Sequence, residues 1–530
     1  MVAKNILRLL RTVRHLKLVQ ILYRFRRYAT AKPRPLRGVV LNSRTPKGVW
    51  VVPINKPASI LTTTKFRFLN REESVLLQQD WNRPSLPKLW LYNLHYHDWV
   101  HAKDTDSALK QELVLRWISE NPFCQGNGWE PYPISIRIVN WIKWQLSGTD
   151  FSVGMEESLY QQAHVLSRTL EYHLLGNHLI ANAKALVFAG LYFGGNRADE
   201  WLAIGRNILE RELPEQFLLD GGHFELSTTY HAALTEDLLD LVNVLRAYGK
   251  CVPVGLTITT QKALDWLTIL TRPDGFPPLF NDAAYGISPT LTQLQEYAGR
   301  LTLKKSAPEQ NGLKDMSASG YFRFDGADYS FWGDAGQIGP DYIPGHGHCD
   351  MLSFELFAHG APIVVDGGTS TYEVGERRHR ERSTAAHNTV QVGRAEQSEI
   401  WSSFRVGRRA RIVDRRLESH VVEAAHDGYR SKGVVHKRRF EFSSSSLVIE
   451  DYLQGSTEKN EAVARFHLHP DVLVRLEDGF VRVGKLTFLF SGAEKVELSS
   501  YEYAPEFYKL IPAQVLEISF QERLRTEIQI

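Results

Sequence analysis

Apolar residues recur at helical spacing from the start of the chain. Between Lys4 and Tyr28 they fall at Ile6, Leu9, Leu10, Val13 and Leu16, with Arg8, Arg11, Arg14 and Lys17 between them, which predicts a basic amphipathic helix. Residues 30 to 70 hold many of the early prolines and little periodicity, as an extended arm would. From 71 to about 305 the three-to-four spacing predicts helices over Ser107 to Ser119, Ile134 to Leu146, Glu157 to Leu174, His178 to Phe193, Ala198 to Leu213, Thr235 to Tyr248 and Thr260 to Thr271, separated by short Gly, Pro or Asn breaks. After Gly320 the texture changes to short alternating or β-branched runs: Tyr321 to Phe324, Ser353 to Phe357, Pro362 to Val365, Asn388 to Val392, Ala410 to Val413, Leu447 to Ile449, Ala464 to Leu468 and Leu486 to Phe490. Helices followed by turn-separated strands predict an all-α domain and then a β-sandwich, not a mixed α/β unit. The expected division is an arm over 1–70, a helical domain over 71–310 and a β domain over 311–530.

Composition adds little to that picture, but charge does. The chain of 530 residues is 43% hydrophobic and 23% charged, ordinary material for at least two cores. The three cysteines, Cys124, Cys251 and Cys349, are odd in number and far apart, which gives neither a disulfide framework nor a thiolate zinc site. Net charge is +3, yet the first 71 residues carry 17 Lys/Arg and no acid, while the rest holds 46 basic against 60 acidic residues. A basic arm on an acidic body implies contact with an anionic surface: a membrane, a polymer or the body itself. Nothing resembles a nucleic-acid recognition motif. Arg24, Arg26 and Arg27 interrupt the one apolar run that could serve as a secretory signal, so no standard signal peptide is expected, and no stretch reaches the roughly 18 uncharged apolar residues of a spanning helix.

Candidate chemistry gathers in a few segments. Gly345-His346-Gly347-His348-Cys349-Asp350 is followed by Val365-Asp366-Gly367-Gly368 and by Ala386-His387-Asn388-Thr389. On a strand, His346 and His348 would point the same way, and with one more His and an Asp they could complete a metal site. A cupin site would want a Glu three or four residues after the second His, and the first here is Glu355. In the helical half, Leu175-Gly176-Asn177-His178-Leu179 opens a helix, where Asn177 is either an N-cap or a cleft residue. Asp220-Gly221-Gly222-His223-Phe224-Glu225 leads into Thr229-Tyr230-His231, where Tyr230 is either a packed aromatic or part of a cleft wall.

These segments, in this order, resemble the heparinase II/III family, related to polysaccharide lyase family 12 and to the alginate lyases. The resemblance runs over about residues 70 to 490 and takes in Leu91-Tyr92-Asn93-Leu94-His95-Tyr96 and Gly128-Trp129-Glu130-Pro131-Tyr132-Pro133. It implies an incomplete (α/α) toroid followed by an antiparallel β-sandwich, and β-elimination from a uronic-acid-containing anionic polysaccharide. That reaction must neutralise the uronate carboxylate, remove the C5 proton and protonate the leaving oxygen at C4. By this resemblance Asn177 and His178 would hold the carboxylate, and Tyr230 and His346 would transfer protons. Which of the two takes the C5 proton is left open. Family metal ligands map onto His348, Asp366 and His387; the ion would be structural, and zinc suits two imidazoles better than calcium or manganese. Trp129, Tyr132, Glu225, Arg378 and Arg382 are the substrate-binding candidates, with core packing the alternative for the aromatic residues and a solvated loop for the arginines.

Two other functions stand beside this one. A hydrolase on the same scaffold would use two opposed carboxylates, with Glu225, Glu236 and Asp237 available. A non-catalytic polysaccharide-binding or assembly protein would rely on the basic arm. The family implies the bacterial cell envelope or periplasm, and the basic helix is compatible with a peripheral place on the cytoplasmic membrane.

Overall fold

The computed structural model describes residues 2–304, 312–455 and 461–530. The basic segment forms two helices, α1 (Val2–Val13) and α2 (Leu18–Ala29), where one was expected. The break falls at Lys17, which is extended and whose N–H donates to Gln20 Oε1 at 2.9 Å. The arm is anchored on the body by ion pairs: Arg8 and Arg11 reach Glu399, and Lys17 reaches Glu215. The expected boundary at residue 70 lies in the turn between two short paired strands, Lys65–Phe68 and Arg71–Ser74.

The helical half comprises α3 (Lys88–Tyr96), α4 (Ser107–Glu120), α5 (Pro131–Leu146), α6 (Val153–Arg168), α7 (Gly176–Tyr192), α8 (Asn196–Gln216), α9 (Thr228–Ala247), α10 (Val254–Leu270) and α11 (Leu291–Arg300). Helix α7 is apolar on nearly every side and is enclosed by α5, α8 and α9, as an all-round hydrophobic helix must be. Trp81, Trp90, Trp99, Trp117, Trp141 and Trp266 are fully buried, so much of the aromatic content goes into cores.

The second half is antiparallel. A five-stranded meander runs from Gly312–Met316 to Ala361–Val364. An eight-stranded sheet runs from Ile412–Glu418 at one edge to Val474–Glu477 at the other, and a four-stranded sheet pairs Val390–Val392 with Ala462–His467, then with Lys509–Phe520 and Lys495–Glu506. A bridge from Val364 to Leu468 joins the five- and four-stranded sheets. All three contribute to one core, with Phe322, Phe331 and Phe354 meeting Phe440, Phe466 and Phe488, which is the packing of a β-sandwich. A short helix, α12 (Glu376–Glu381), leaves this half and returns to the junction between the two.

Candidate active site

The site lies where the N-terminal ends of α7 and α9 meet loops of the sandwich. Before α7, Leu175 and Gly176 both have positive φ, which turns the chain so that the Asn177 N–H donates to Glu225 Oε1 at 3.0 Å. A Cβ on Gly176 would stand 2.7 Å from that same oxygen, so only glycine fits the approach. Asn177 is therefore not an N-cap: Leu175 occupies that position, and the buried Oδ1 of Asn177 has no partner. A buried amide oxygen left unpaired is costly, and a ligand is one way to satisfy it. His178 Nδ1 donates to Glu171 Oε1 at 3.1 Å, and the ring lies against that of Tyr132, centroids 4.4 Å apart. Burial alone would lower the imidazole, but the Glu171 carboxylate raises it above its ordinary value.

The first turn of α9 pins a loop. Ser227, its N-cap, accepts from the Tyr230 N–H and donates to the Asp282 carbonyl at 2.6 Å. Thr228 and Thr229 donate to the carbonyls of Pro278 and Ala284, each at 3.0 Å. This fixes Asp282, a residue on the connection between α10 and α11 that sequence reasoning did not single out. Its buried carboxylate accepts His346 Nδ1 at 2.9 Å and His348 Nε2 at 2.8 Å, and Arg378 bonds both of its oxygens. Burial would raise this acid, but the guanidinium and the two imidazoles hold it well below the usual carboxylate range. His346 and His348 share this one acceptor from a loop, where a strand was expected; Gly347 between them abuts the Ile338 carbonyl and leaves no room for a side chain.

His346 ties the two halves together. Its ring stacks on Tyr230 with centroids 3.9 Å apart, and its Nε2 lies 3.4 Å from Glu225 Oε2. The Tyr230 hydroxyl is 3.1 Å from that of Tyr372, a second residue that sequence reasoning missed. Burial, then Tyr372 and Asp282, push the Tyr230 phenol well above its ordinary value, so it is a neutral proton donor. Asn177, Glu225, His346, Tyr230 and Tyr372 thus form a continuous chain of contacts across the junction.

A model of the Heparinase II/III N-terminus matches residues 87–302, and one of the Heparinase II/III-like C-terminal region matches residues 308–530. The chain belongs to the heparinase II/III family. Heparin-sulfate lyase from Bacteroides stercoris is 27% identical over 314 residues, which are 54% of this chain and 45% of that protein. Heparin-sulfate lyase from Pedobacter heparinus is 26% identical over 348 residues, 56% of this chain and 51% of that protein. The chain spans about half the length of these curated relatives. A crystal structure of heparinase III aligns with a TM-score of 0.64 at 19% identity, over 82% of this chain and 76% of that one, a likeness of fold.

The remaining family positions divide. Arg378 and Arg382 were expected at the polymer but are fully buried. Arg378 is spent on Asp282 and the Ser403 carbonyl, and Arg382 on the carbonyls of Gly347 and Ser403, so both fasten the loop that bears His346. Both partners are internal because α12 carries the arginines into the junction, not along an open loop. Trp129 donates to the Asn121 carbonyl and packs against Trp117 and Phe123, the core alternative. Glu225 is buried with its carboxylate on the Asn177 N–H and beside His346. Tyr132 is half-buried and stacks on His178.

Of the expected metal ligands, His387 Nδ1 pairs with Asp366 Oδ2 at 2.8 Å, and His348 lies on Asp282. The two imidazole rings are 5.2 Å apart, and the outer nitrogens, His348 Nδ1 and His387 Nε2, are buried without partners. Two orphaned imidazole nitrogens and a carboxylate are suitable donors for a borderline-soft divalent ion. Among the described residues, however, no three His, Cys, Asp or Glu side chains are arranged as a ligand set.

Proposed function

We propose that this chain is a polysaccharide lyase that cleaves a uronic-acid-containing, anionic polysaccharide by β-elimination. The observation that carries the reading is the stacking of Tyr230 on His346, a phenol and an imidazole from opposite halves of the molecule at one point, with Asn177 joined to them through Glu225. The heparin-sulfate lyases among its relatives support the same chemistry. The substrate class that fits is a bacterial surface polysaccharide or exopolysaccharide, or a heparan-like glycosaminoglycan.

In this mechanism Asn177 and a protonated His178 neutralise the uronate carboxylate and so acidify C5–H. Asp282 holds the Nδ1 proton of His346, so Nε2, which faces Glu225, is the nitrogen that takes the C5 proton. The C5–H electron pair forms the C4=C5 double bond, the C4–O bond breaks, and the neutral Tyr230 phenol protonates the departing oxygen. A hydrolase is disfavoured because Glu236 and Asp237 are paired with Lys56 and Lys184, and no opposed free carboxylates remain in this set.

The test is near-ultraviolet absorbance of the unsaturated uronate on a panel of uronate polymers. Absorbance should rise with the wild type and fall by about 10²- to 10⁴-fold in Tyr230→Phe and His346→Ala. Reducing ends without absorbance would establish hydrolysis in its place, and binding without turnover would establish an assembly role.

The reading includes one divalent metal, zinc first, at His348, His387 and Asp366: His348 Nδ1 and His387 Nε2 are the nitrogens that would bind it, and Asp366, on His387 Nδ1, would orient that ring. Bound there, it would brace the loop that presents His346. Elemental analysis should find about one ion per chain, and chelation should lower the melting temperature. The place of action that accords with this function is the cell envelope, with the basic arm against an anionic surface.

A further inference from the structure

Helices α1 and α2 are inside out. A helix on a soluble protein normally buries its apolar stripe and shows its polar face to water. In α1, Ile6, Leu9, Leu10 and Val13 stand at i, i+3, i+4 and i+7 and are all exposed. Its polar stripe faces the body instead: Arg8 and Arg11 bond Glu399, and Thr12 donates to the Val406 carbonyl. Helix α2 repeats the inversion in part: Val19 packs on the helical core and Tyr23 on Tyr172, but Leu18, Leu22 and Phe25, at i, i+4 and i+7, are 77%, 65% and 72% exposed. The buried Gln20 donates to the carbonyls of Leu174 and Tyr342, and Arg27 meets His173. Two adjoining helices thus turn apolar stripes to solvent, a disposition that marks an interaction surface.

We propose that this surface docks on an anionic lipid bilayer, with the outward leucines and Phe25 inserted among the acyl chains and the arm's free cations at the headgroups. The inference rests on the reading of the arm as a contact with an anionic surface and names that surface. Charge complementarity selects it: the first 71 residues hold 17 cations and no acid. Arg14 and Arg24 flank the stripes and have no carboxylate partner among the described residues. Hydrophobic stripes bordered by arginine are the pattern of helices that lie in a membrane interface, and each basic side chain near an anionic leaflet adds attraction. A second copy pressed arm to arm would bring Arg14 and Arg24 of each copy together, with repulsion between them.

Docking has a consequence for the cleft. Leu174 is three residues before Asn177 and Tyr342 four before His346, so Gln20 ties α2 to both loops that carry the site. A bilayer-bound arm would hold the mouth of the cleft beside the membrane, where a polymer emerging from or anchored in the bilayer would meet it.

The experiment is co-sedimentation of the full chain with phosphatidylcholine vesicles and with vesicles containing roughly one-third phosphatidylglycerol. The wild type should pellet with the anionic vesicles and stay in the supernatant with the zwitterionic ones. The double variant Leu22→Glu, Phe25→Glu should cut the pelleted fraction by about tenfold or more, with an unchanged circular-dichroism melt and unchanged turnover of soluble polymer. Wild type that stays in the supernatant with both vesicles overturns the proposal. So does a wild-type dimer in light scattering that the double variant converts to monomer, which would assign the stripes to a second copy. Binding abolished by salt but indifferent to the double variant would overturn insertion while leaving an electrostatic anionic contact in place. Failure of the lyase assay with vesicle binding intact would count against the catalytic reading alone.

Discussion

One buried charge cluster lies within the α-helical half and another at its junction with the β half, and they are finished differently. In the first, Lys56, Lys143 and Lys184 meet Glu236, Asp237 and Asp240, with Tyr297 donating to Asp240 Oδ1 at 2.9 Å. Each of these charges has an opposite within the same set of helices and the arm, and the cluster closes on itself. In the second, Asp282 gathers His346, His348 and Arg378, all from the other half, and the imidazole it orients goes on to stack on Tyr230 near an unpaired Asn177 oxygen. Burial and charge are common to both, so neither property distinguishes scaffold from chemistry. What separates them is whether donor and acceptor capacity is left over toward a cleft.

Substitutions can sharpen that contrast. The largest effect is expected from Asp282→Asn, which removes the acceptor that fixes the His346 tautomer. Turnover should fall by about 10³-fold or more, measured as the initial rate of unsaturated uronate formation. Asp240→Asn should do the opposite: it leaves Lys143 and Lys184 buried with less compensation and costs about 3–5 kcal/mol in urea unfolding, while turnover per folded molecule stays near wild type. If Asp240→Asn instead abolishes turnover in fully folded protein, the first cluster is part of the machinery and the contrast fails.

Gly176→Ala should cost about 1–3 kcal/mol, because its φ of +59° and the 2.7 Å approach to Glu225 both oppose a side chain. Turnover should drop with it, as the Asn177 amide is displaced.

The smallest effect belongs to the Glu171–His178 pair. The imidazole is held above its ordinary 6.5, so its contribution to stability is fully present below that pH and is lost as pH rises through the folded value. The carboxyl is held below 4.5, burial opposing and His178 lowering it, so its contribution is present above that pH and lost as pH falls. Glu171→Gln should therefore destabilise most between the two and less at pH about 9, in melts followed across the range.

The parts of the molecule governed by periodic burial were legible in the sequence. The apolar α7, the α8 stripe and the strands that bury Phe322, Phe466 and Phe488 are set by local spacing, and the helices-then-strands order follows from it, whereas the strand of Phe440, Val435–Phe442, was not expected. Residues whose role depends on contacts across the junction were harder to place. Asp282 sits in Leu279-Phe280-Asn281-Asp282-Ala283-Ala284, where two polar residues inside an apolar loop were the available signal, since neither could be buried there without partners. Tyr372 carried no such signal, because its partner is 142 residues away. The arginines of α12 read as a solvated or polymer-facing run, and only the tertiary fold turns Arg378 and Arg382 inward. One amphipathic stripe, Ile6 to Leu16, was visible in the arm, but neither the break at Lys17 nor the stripe's orientation was, since spacing cannot say which face meets the body.

The division of the site between the halves also bears on biosynthesis. Asn177, Tyr230 and Asp282 leave the ribosome well before His346, Tyr372 and the Ser403 carbonyl that receives Arg378. A stalled or proteolytically shortened product that ends within the helical half would lack the imidazole and the loop that presents it. On the proposed function, such a fragment would lack the proton-transfer partner of Tyr230 however well it folded.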